Sequence, residues 1–118
     1  MAFYRLADVC VASVLHDGMN LVAKEYAAAR ADCDGVLVLS RFAGAARELD
    51  QALQINPYAT DETAAVLHQA LCMGEAERRA RMAASRQTIE RNNIYRWAGK
   101  IVSELGRMAA RARLEAAA

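Results

Sequence analysis

The chain lacks the markers of several functional classes. Its three cysteines, Cys10, Cys33 and Cys72, are odd in number and form no C-x-x-C pair, so no zinc ribbon, thioredoxin-like motif or disulfide framework is indicated. Each reads as a small, buried or half-buried apolar residue kept reduced. No charge of one sign accumulates: 15 basic and 14 acidic residues leave a net charge of +1, too little for a global field to recruit nucleic acid or an anionic membrane. No apolar run approaches the roughly 20 residues of a membrane span, and no basic stretch leads into an apolar signal core. A soluble, unexported, cytoplasmic protein is expected. Repeats, low-complexity tracts and linkers are missing too. No G-x-G-x-x-G follows the first apolar run, so dinucleotide binding has little support.

What is present suits one modest packed domain: 118 residues, 55% hydrophobic and 25% charged. Residues 1–8 read as the end of a helix or a connector. Residues 9–14 are small and β-branched, as in a parallel strand covered on both faces. A helix is expected over 21–30, with Leu21, Val22, Ala23, Ala27, Ala28 and Ala29 as its packing face. A second buried strand follows at 36–40, which makes a right-handed βαβ unit. A short helix at 45–49 and a brief third strand at 52–55 precede Asn56-Pro57-Tyr58, where proline stops regular pairing.

The C-terminal half reads as helical. Thr60 is a candidate N-cap, with Asp61 and Glu62 in the first turn, for a helix that Gly74 ends. The next helix, over 75–91, pairs Glu75 with Arg79 and Glu77 with Arg81. Its Arg78, Arg79 and Arg81 are expected to form a solvated face rather than a nucleic-acid site. A last helix carries Ile94, Trp97, Ala98, Ile101, Val102, Leu105 and Met108 on one stripe, and the tail from Arg111 is expected to fray. The fold class is therefore α/β: a partial Rossmann-like domain with two to three parallel strands followed by C-terminal helices. So few strands do not make a stable doubly wound sheet, and the chain reads as part of a larger domain. Exposed strand edges and an orphaned helix face would seek partners through self-association or association with a missing N-terminal domain.

One stretch joins the first apolar run to the first helix: Asp17-Gly18-Met19-Asn20-Leu21-Val22-Ala23-Lys24-Glu25-Tyr26. It sits where open α/β sheets hold their ligands, at the carboxyl end of a strand. The first turn of a helix offers unpaired N–H groups and a positive dipole end to anions. Two acids eight positions apart add hydroxyl acceptors. By themselves they read first as an ordinary helix-start acid and an exposed helix acid.

This motif, with Tyr4-Arg5-Leu6-Ala7-Asp8-Val9 before it and Gly35-Val36-Leu37-Val38-Leu39-Ser40, Phe42-Ala43-Gly44-Ala45-Ala46 and Asn56-Pro57-Tyr58 after it, resembles the C-terminal part of the trehalose-6-phosphate synthases, glycosyltransferase family 20. The likeness runs to about Leu105. It implies the donor half of a two-domain GT-B enzyme that moves glucose from UDP-glucose to glucose 6-phosphate with retention, and without a required metal or other cofactor. The resemblance implies a donor-binding set of Asp17, Gly18, Met19, Asn20, Leu21, Val22, Ala23, Lys24 and Glu25. Asp17 would accept from glucose hydroxyls, and the backbone of Gly18, Met19 and Asn20 would line the sugar. The N–H groups of Leu21 and Val22 would meet the diphosphate, and Glu25 the ribose. No residue is assigned as catalytic. Lys24 reads as a surface or interdomain contact, and His68 as solvated. Gly44 reads as a point of close backbone approach. His16 stands where many relatives carry another basic residue, so it either touches the donor or orients the loop.

The family's basic clamp on the diphosphate, its uracil-contacting segment and its acceptor domain are expected upstream of Met1. Without the clamp, leaving-group charge would meet only the helix dipole, about 0.3–2 kcal/mol, against the roughly 8 kcal/mol or more that enzymatic acceleration needs. The isolated chain is therefore not expected to be a competent glycosyltransferase. A non-catalytic or regulatory nucleotide-sugar module, a relative using another acceptor phosphate and a functionless gene remnant remain as alternatives.

Overall fold

The computed structural model describes residues 2–118; Met1, the first residue of the expected N-terminal connector, lies outside the described residues. The connector is a short helix, α1 (Ala2–Leu6), followed by β1 (Val9–Ala12), α2 (Leu21–Ala29), β2 (Val36–Ser40), a 3-10 turn (Gly44–Arg47), β3 (Leu53–Ile55), α3 (Thr60–Leu71), α4 (Glu75–Arg91) and α5 (Ile94–Ala117). The sheet is parallel in the order β1-β2-β3, with Val9 opposite Val36 and Val38 opposite Leu53. The strands all run one way, so the segments after Ala12, Ser40 and Ile55 gather at one sheet edge.

Strand β2 is the centre. Its five residues, Val36-Leu37-Val38-Leu39-Ser40, are all buried, as a strand with neighbours on both sides and helices on both faces requires. Alternation divides them between two cores. Leu37 and Leu39 pack with Ala23, Tyr26 and Ala27 of α2 and Met82 of α4, whereas Val36 and Val38 pack with Leu53, Ile55, Ala70 and Met73 on the α3 side. Each such side chain contributes on the order of 1.5–3 kcal/mol when taken from water.

Several expectations change with the tertiary arrangement. The first strand stops at Ala12 rather than Val14 and is not covered on both faces: as the outer strand it leaves Val11 43% exposed. On α2 only Ala23, Tyr26 and Ala27 are buried, so Leu21, Val22 and Ala28 are not part of its packing face. The short helix expected at 45–49 is the 3-10 turn one residue earlier. Thr60 is the first residue of α3, after an Ala59 cap without a side-chain bond, and Glu62, two positions on, is drawn to Arg41. Gly74 has an ordinary φ of −66° and starts α4 rather than ending α3, whose cap is Cys72. Cys72 is also exposed, unlike the half-buried Cys10 and Cys33. The tail continues α5 to Ala117 instead of fraying.

The arginines of α4 are tethers more than a solvated face. The Glu75–Arg79 and Glu77–Arg81 pairs form, both at 2.9 Å, but Arg81 also donates to the Gln51 carbonyl and Arg86 to the Ala27 and Ala28 carbonyls. Arg78 donates to Asp34 at 2.7 Å and to the Met73 carbonyl at 3.0 Å, joining α4 to the turn that feeds β2. The hydrogen bond from Arg78 holds the Asp34 carboxyl below its ordinary value of 3.8. A carboxyl depressed on folding stabilises the protein fully above that ordinary value and loses the contribution as pH falls through the lower, folded value. Asp34→Asn should therefore lower the melting temperature at neutral pH, with the gap to the parent closing as a thermal series descends below pH 3.8. A gap independent of pH would show that the pair does not carry this linkage.

Candidate functional site at the start of helix α2

Asn20 opens the site. Its side chain takes the N-cap place, with Oδ1 accepting from the Ala23 N–H at 2.9 Å, and its φ of 65° turns the loop sharply into the helix. Asparagine tolerates this left-handed conformation better than most residues. The cap satisfies Ala23, whereas the N–H groups of Leu21 and Val22 have no protein acceptor among the described residues. Two donors at the positive end of a nine-residue helix thus face the solvent at the carboxyl edge of the sheet.

The loop before Asn20 is bound to the loop after β2. Asp17 bridges to Ala43, the Gly44 N–H donates to the Asp17 carbonyl at 2.9 Å, and the Ala45 N–H donates to the Met19 carbonyl at 3.0 Å. Gly44 permits this because a Cβ there would lie 1.9 Å from the Gly18 carbonyl oxygen. The expected close backbone approach is real, and what approaches is the motif itself. Asp17 turns one oxygen back on its own loop, with Oδ1 accepting from the Met19 N–H at 3.2 Å. Oδ2 has no protein partner among the described residues.

The remaining motif residues divide. Gly18 and Met19 are exposed beside Asp17, while Ala23 is fully buried against the core. Lys24 forms an ion pair with Glu48 at 2.9 Å, a surface tie to the segment after the 3-10 turn. Glu25, one turn into α2, accepts from the Tyr4 hydroxyl at 3.2 Å. Partial burial and that carboxylate hold the Tyr4 phenol above its ordinary value. His16 lays its ring against Phe42, centroids 5.8 Å apart, and Phe42 meets Tyr58 at the same distance. This row of rings joins the loops after all three strands. His68 is exposed as expected, with its ring 3.8–4.0 Å from the Cys72 sulfur. The Asn20 cap is marked in the sequence by an asparagine directly before the first helical residue, Leu21. The Tyr4–Glu25 contact spans 21 residues, which no local pattern signals. Among the described residues, no three His, Cys, Asp or Glu side chains converge as a metal set, and no helix is long and apolar enough to cross a membrane.

Comparison with known proteins gives the family and the fold. The sequence profile of glycosyltransferase family 20 matches residues 1–107. The chain is similar to a trehalose-6-phosphate synthase of Klebsiella pneumoniae, 53% identical over 106 residues, which are 89% of this chain and 22% of that one. It is also similar to the crystal structure of an alpha,alpha-trehalose 6-phosphate synthase from Burkholderia multivorans, with a TM-score of 0.85 and 46% identity over 94% of this chain and 24% of that one. A structure from E. coli, described as bound with UDP-2-fluoro glucose, superposes with a TM-score of 0.83 and 51% identity, covering 87% of this chain and 23% of that one. The chain thus spans under a quarter of the length of the relatives it matches. With the profile covering nearly all of the chain and the solved structures sharing its fold at about half identity, the chain belongs to glycosyltransferase family 20.

Proposed function

We propose that this chain is the donor-binding C-terminal part of a UDP-glucose-dependent trehalose-6-phosphate synthase. The observation that carries the reading is the pair of unpartnered N–H groups at Leu21 and Val22, facing outward from a loop that Gly44 holds in place. Phosphate oxygens are strong acceptors for such donors, and the helix dipole favours their charge. Asp17 Oδ2 accepts from the glucose hydroxyls, for which an ionised carboxylate is well suited. The Gly18-Met19-Asn20 backbone lines the sugar. Glu25 exchanges its Tyr4 partner for, or shares it with, the ribose hydroxyls. Ala23 and Lys24 support the site from behind, one by packing and one by tying α2 to Glu48. The reading assigns no metal and no catalytic residue to this chain.

The reaction this site serves is retaining transfer of glucose to a sugar phosphate, with the diphosphate assisting deprotonation of the acceptor on the same face. The rest of the diphosphate's charge is met by groups outside these residues, so the 118-residue chain holds donor without transferring glucose. Glucose transfer by the purified chain would overturn that part of the reading.

Calorimetric titration with UDP-glucose tests the site. Saturable heat is expected, with affinity falling about ten- to hundredfold in Asp17→Ala and in Glu25→Ala, the cost of one hydrogen bond to a charged group. Absence of heat at millimolar UDP-glucose would refute the donor site.

A further inference from the structure

The two acids of the motif are held alike, each with one oxygen bound within the chain and one left open. Asp17 Oδ1 accepts from the Met19 N–H within its own loop. Glu25 Oε2 accepts from the Tyr4 hydroxyl at 3.2 Å, across 21 positions, while Oε1 has no protein partner among the described residues. Tyr4 is firmly placed although α1 has only five residues. Its ring meets the buried Tyr26 ring edge to face, with centroids 6.2 Å apart and planes at 80°, an arrangement that aromatic pairs prefer. The backbone that carries it is gripped by the buried Arg30, whose Nη1 donates to the Arg5 carbonyl at 2.6 Å and the Ala7 carbonyl at 3.0 Å, groups that a helix end leaves unpaired. With the phenol held above its ordinary value of 10.0, Tyr4 keeps its proton and stays a donor at neutral pH. Helical side chains lean toward the helix N-terminus, so Glu25 tilts back toward Leu21, one turn or about 5.4 Å earlier along the axis, where the N–H is free.

We infer that Tyr4 is a positioning residue for ribose recognition: it keeps Glu25 Oε2 and leaves Oε1 turned to the two ribose hydroxyls of a nucleotide whose diphosphate rests on the Leu21 and Val22 N–H groups. The inference rests on the donor-site reading above and extends it to discrimination between a ribose and a deoxyribose. A carboxylate offers about four acceptor positions on its two oxygens, so the Tyr4 bond and the vicinal hydroxyls are accommodated together. Tyr4 is shared with the ligand and not displaced by it. An exposed glutamate without such an anchor must give up its rotamer freedom when it meets a ligand, whereas Glu25 has given it up already through Tyr4. Preorganisation of this kind strengthens the bond to the ligand without adding a contact. A site arranged to pair a hydroxyl also rejects the analogue that lacks it, because the acceptor is then left unpaired.

Calorimetric titration of the whole chain with UDP and with dideoxy-UDP, which lacks both ribose hydroxyls, tests this role. The parent should bind UDP about ten- to hundredfold more tightly than dideoxy-UDP, the worth of a hydrogen bond to a charged group. Tyr4→Phe keeps the ring against Tyr26 and removes only the hydroxyl. It should cut that ratio by about three- to tenfold and leave the affinity for dideoxy-UDP within about twofold of the parent. A change that only loosened the fold would weaken both nucleotides alike and leave the ratio where it was. Since Tyr4 acts through Glu25, adding Tyr4→Phe to Glu25→Ala should change neither affinity further. A ratio preserved in Tyr4→Phe, an equal loss for both nucleotides, or a further fall in the double variant would each overturn the role of Tyr4. Equal binding of the two nucleotides by the parent would overturn it as well, while leaving the diphosphate contacts standing. Absence of heat with either nucleotide would refute the donor site itself, and this inference with it.

Discussion

Gly44→Ala should abolish UDP-glucose binding and lower the melting temperature by about 10 °C or more. The added methyl would sit 1.9 Å from the Gly18 carbonyl oxygen and 2.7 Å from its carbonyl carbon. Both are backbone atoms, so no rotamer relieves the clash. Either the segment after β2 or the motif loop must move, and movement breaks the bonds from Gly44 to Asp17 and from Ala45 to Met19. Overpacking of this kind costs about 1–3 kcal/mol and sometimes more, and two lost backbone bonds add about 1 kcal/mol each. For a domain of this size each kcal/mol moves the melting temperature by roughly 4 °C. Gly18→Ala is the contrast, because a Cβ there meets nothing within 4 Å; it should melt close to the parent chain. Equal melting of the two variants in scanning calorimetry would show that the loop docking does not matter.

Tyr26→Ala should be the most destabilising single change in the core, at about 3–5 kcal/mol from lost burial and the cavity left behind. That is a large share of the roughly 5–15 kcal/mol that holds a domain of this kind together. The Tyr26 side chain is fully buried between α2 and the sheet. Its hydroxyl donates to the Ala7 carbonyl at 2.9 Å, and burial pushes its pKa up to about 12. Tyr26→Phe should cost only about 1 kcal/mol, because Arg30 also donates to the Ala7 carbonyl, at 3.0 Å. Gly35 is fitted to the same hydroxyl: a Cβ on Gly35 would lie 2.3 Å from it and 3.3 Å from the ring carbon that bears it. Gly35→Ala should therefore be less damaging in a Tyr26→Phe background, with a coupling of about 1 kcal/mol or more in denaturant unfolding. Strict additivity would mean that the two positions do not meet as the geometry requires.

Local chemistry made much of this molecule readable. The run at 36–40 is fully buried because four consecutive β-branched and leucine residues, Val36 to Leu39, suit only a strand covered on both faces. The alanine-rich stretch after Leu21 forms the expected helix, with Arg30 as its cap rather than its last residue. The i to i+4 glutamate–arginine pairs of α4 form because the helical period alone brings them together. Position relative to other elements was not readable. Val11 is apolar but lies on an outer strand, and nothing in its own segment tells an edge from a centre. Gly74 could end one helix or begin the next, and the short spacing between α3 and α4 settled it. Arg78 and Arg81 read as part of a solvated face because their acceptors, Asp34 and Gln51, lie 44 and 30 residues away.

The candidate site shows the same division. Local residue order is enough for the strand, turn and helix around Asp17 to Tyr26, and with them the free donors at Leu21 and Val22, since helix geometry leaves its first N–H groups unpaired whatever surrounds them. How that turn is held depends on contacts between distant segments: Gly44, 26 positions beyond Gly18, lets one backbone lie against another, and Tyr4 reaches from α1 to Glu25 on α2. Helix hydrogen bonds close within four residues and are written in local order. Contacts between segments depend on where the chain folds back, and no local pattern encodes that.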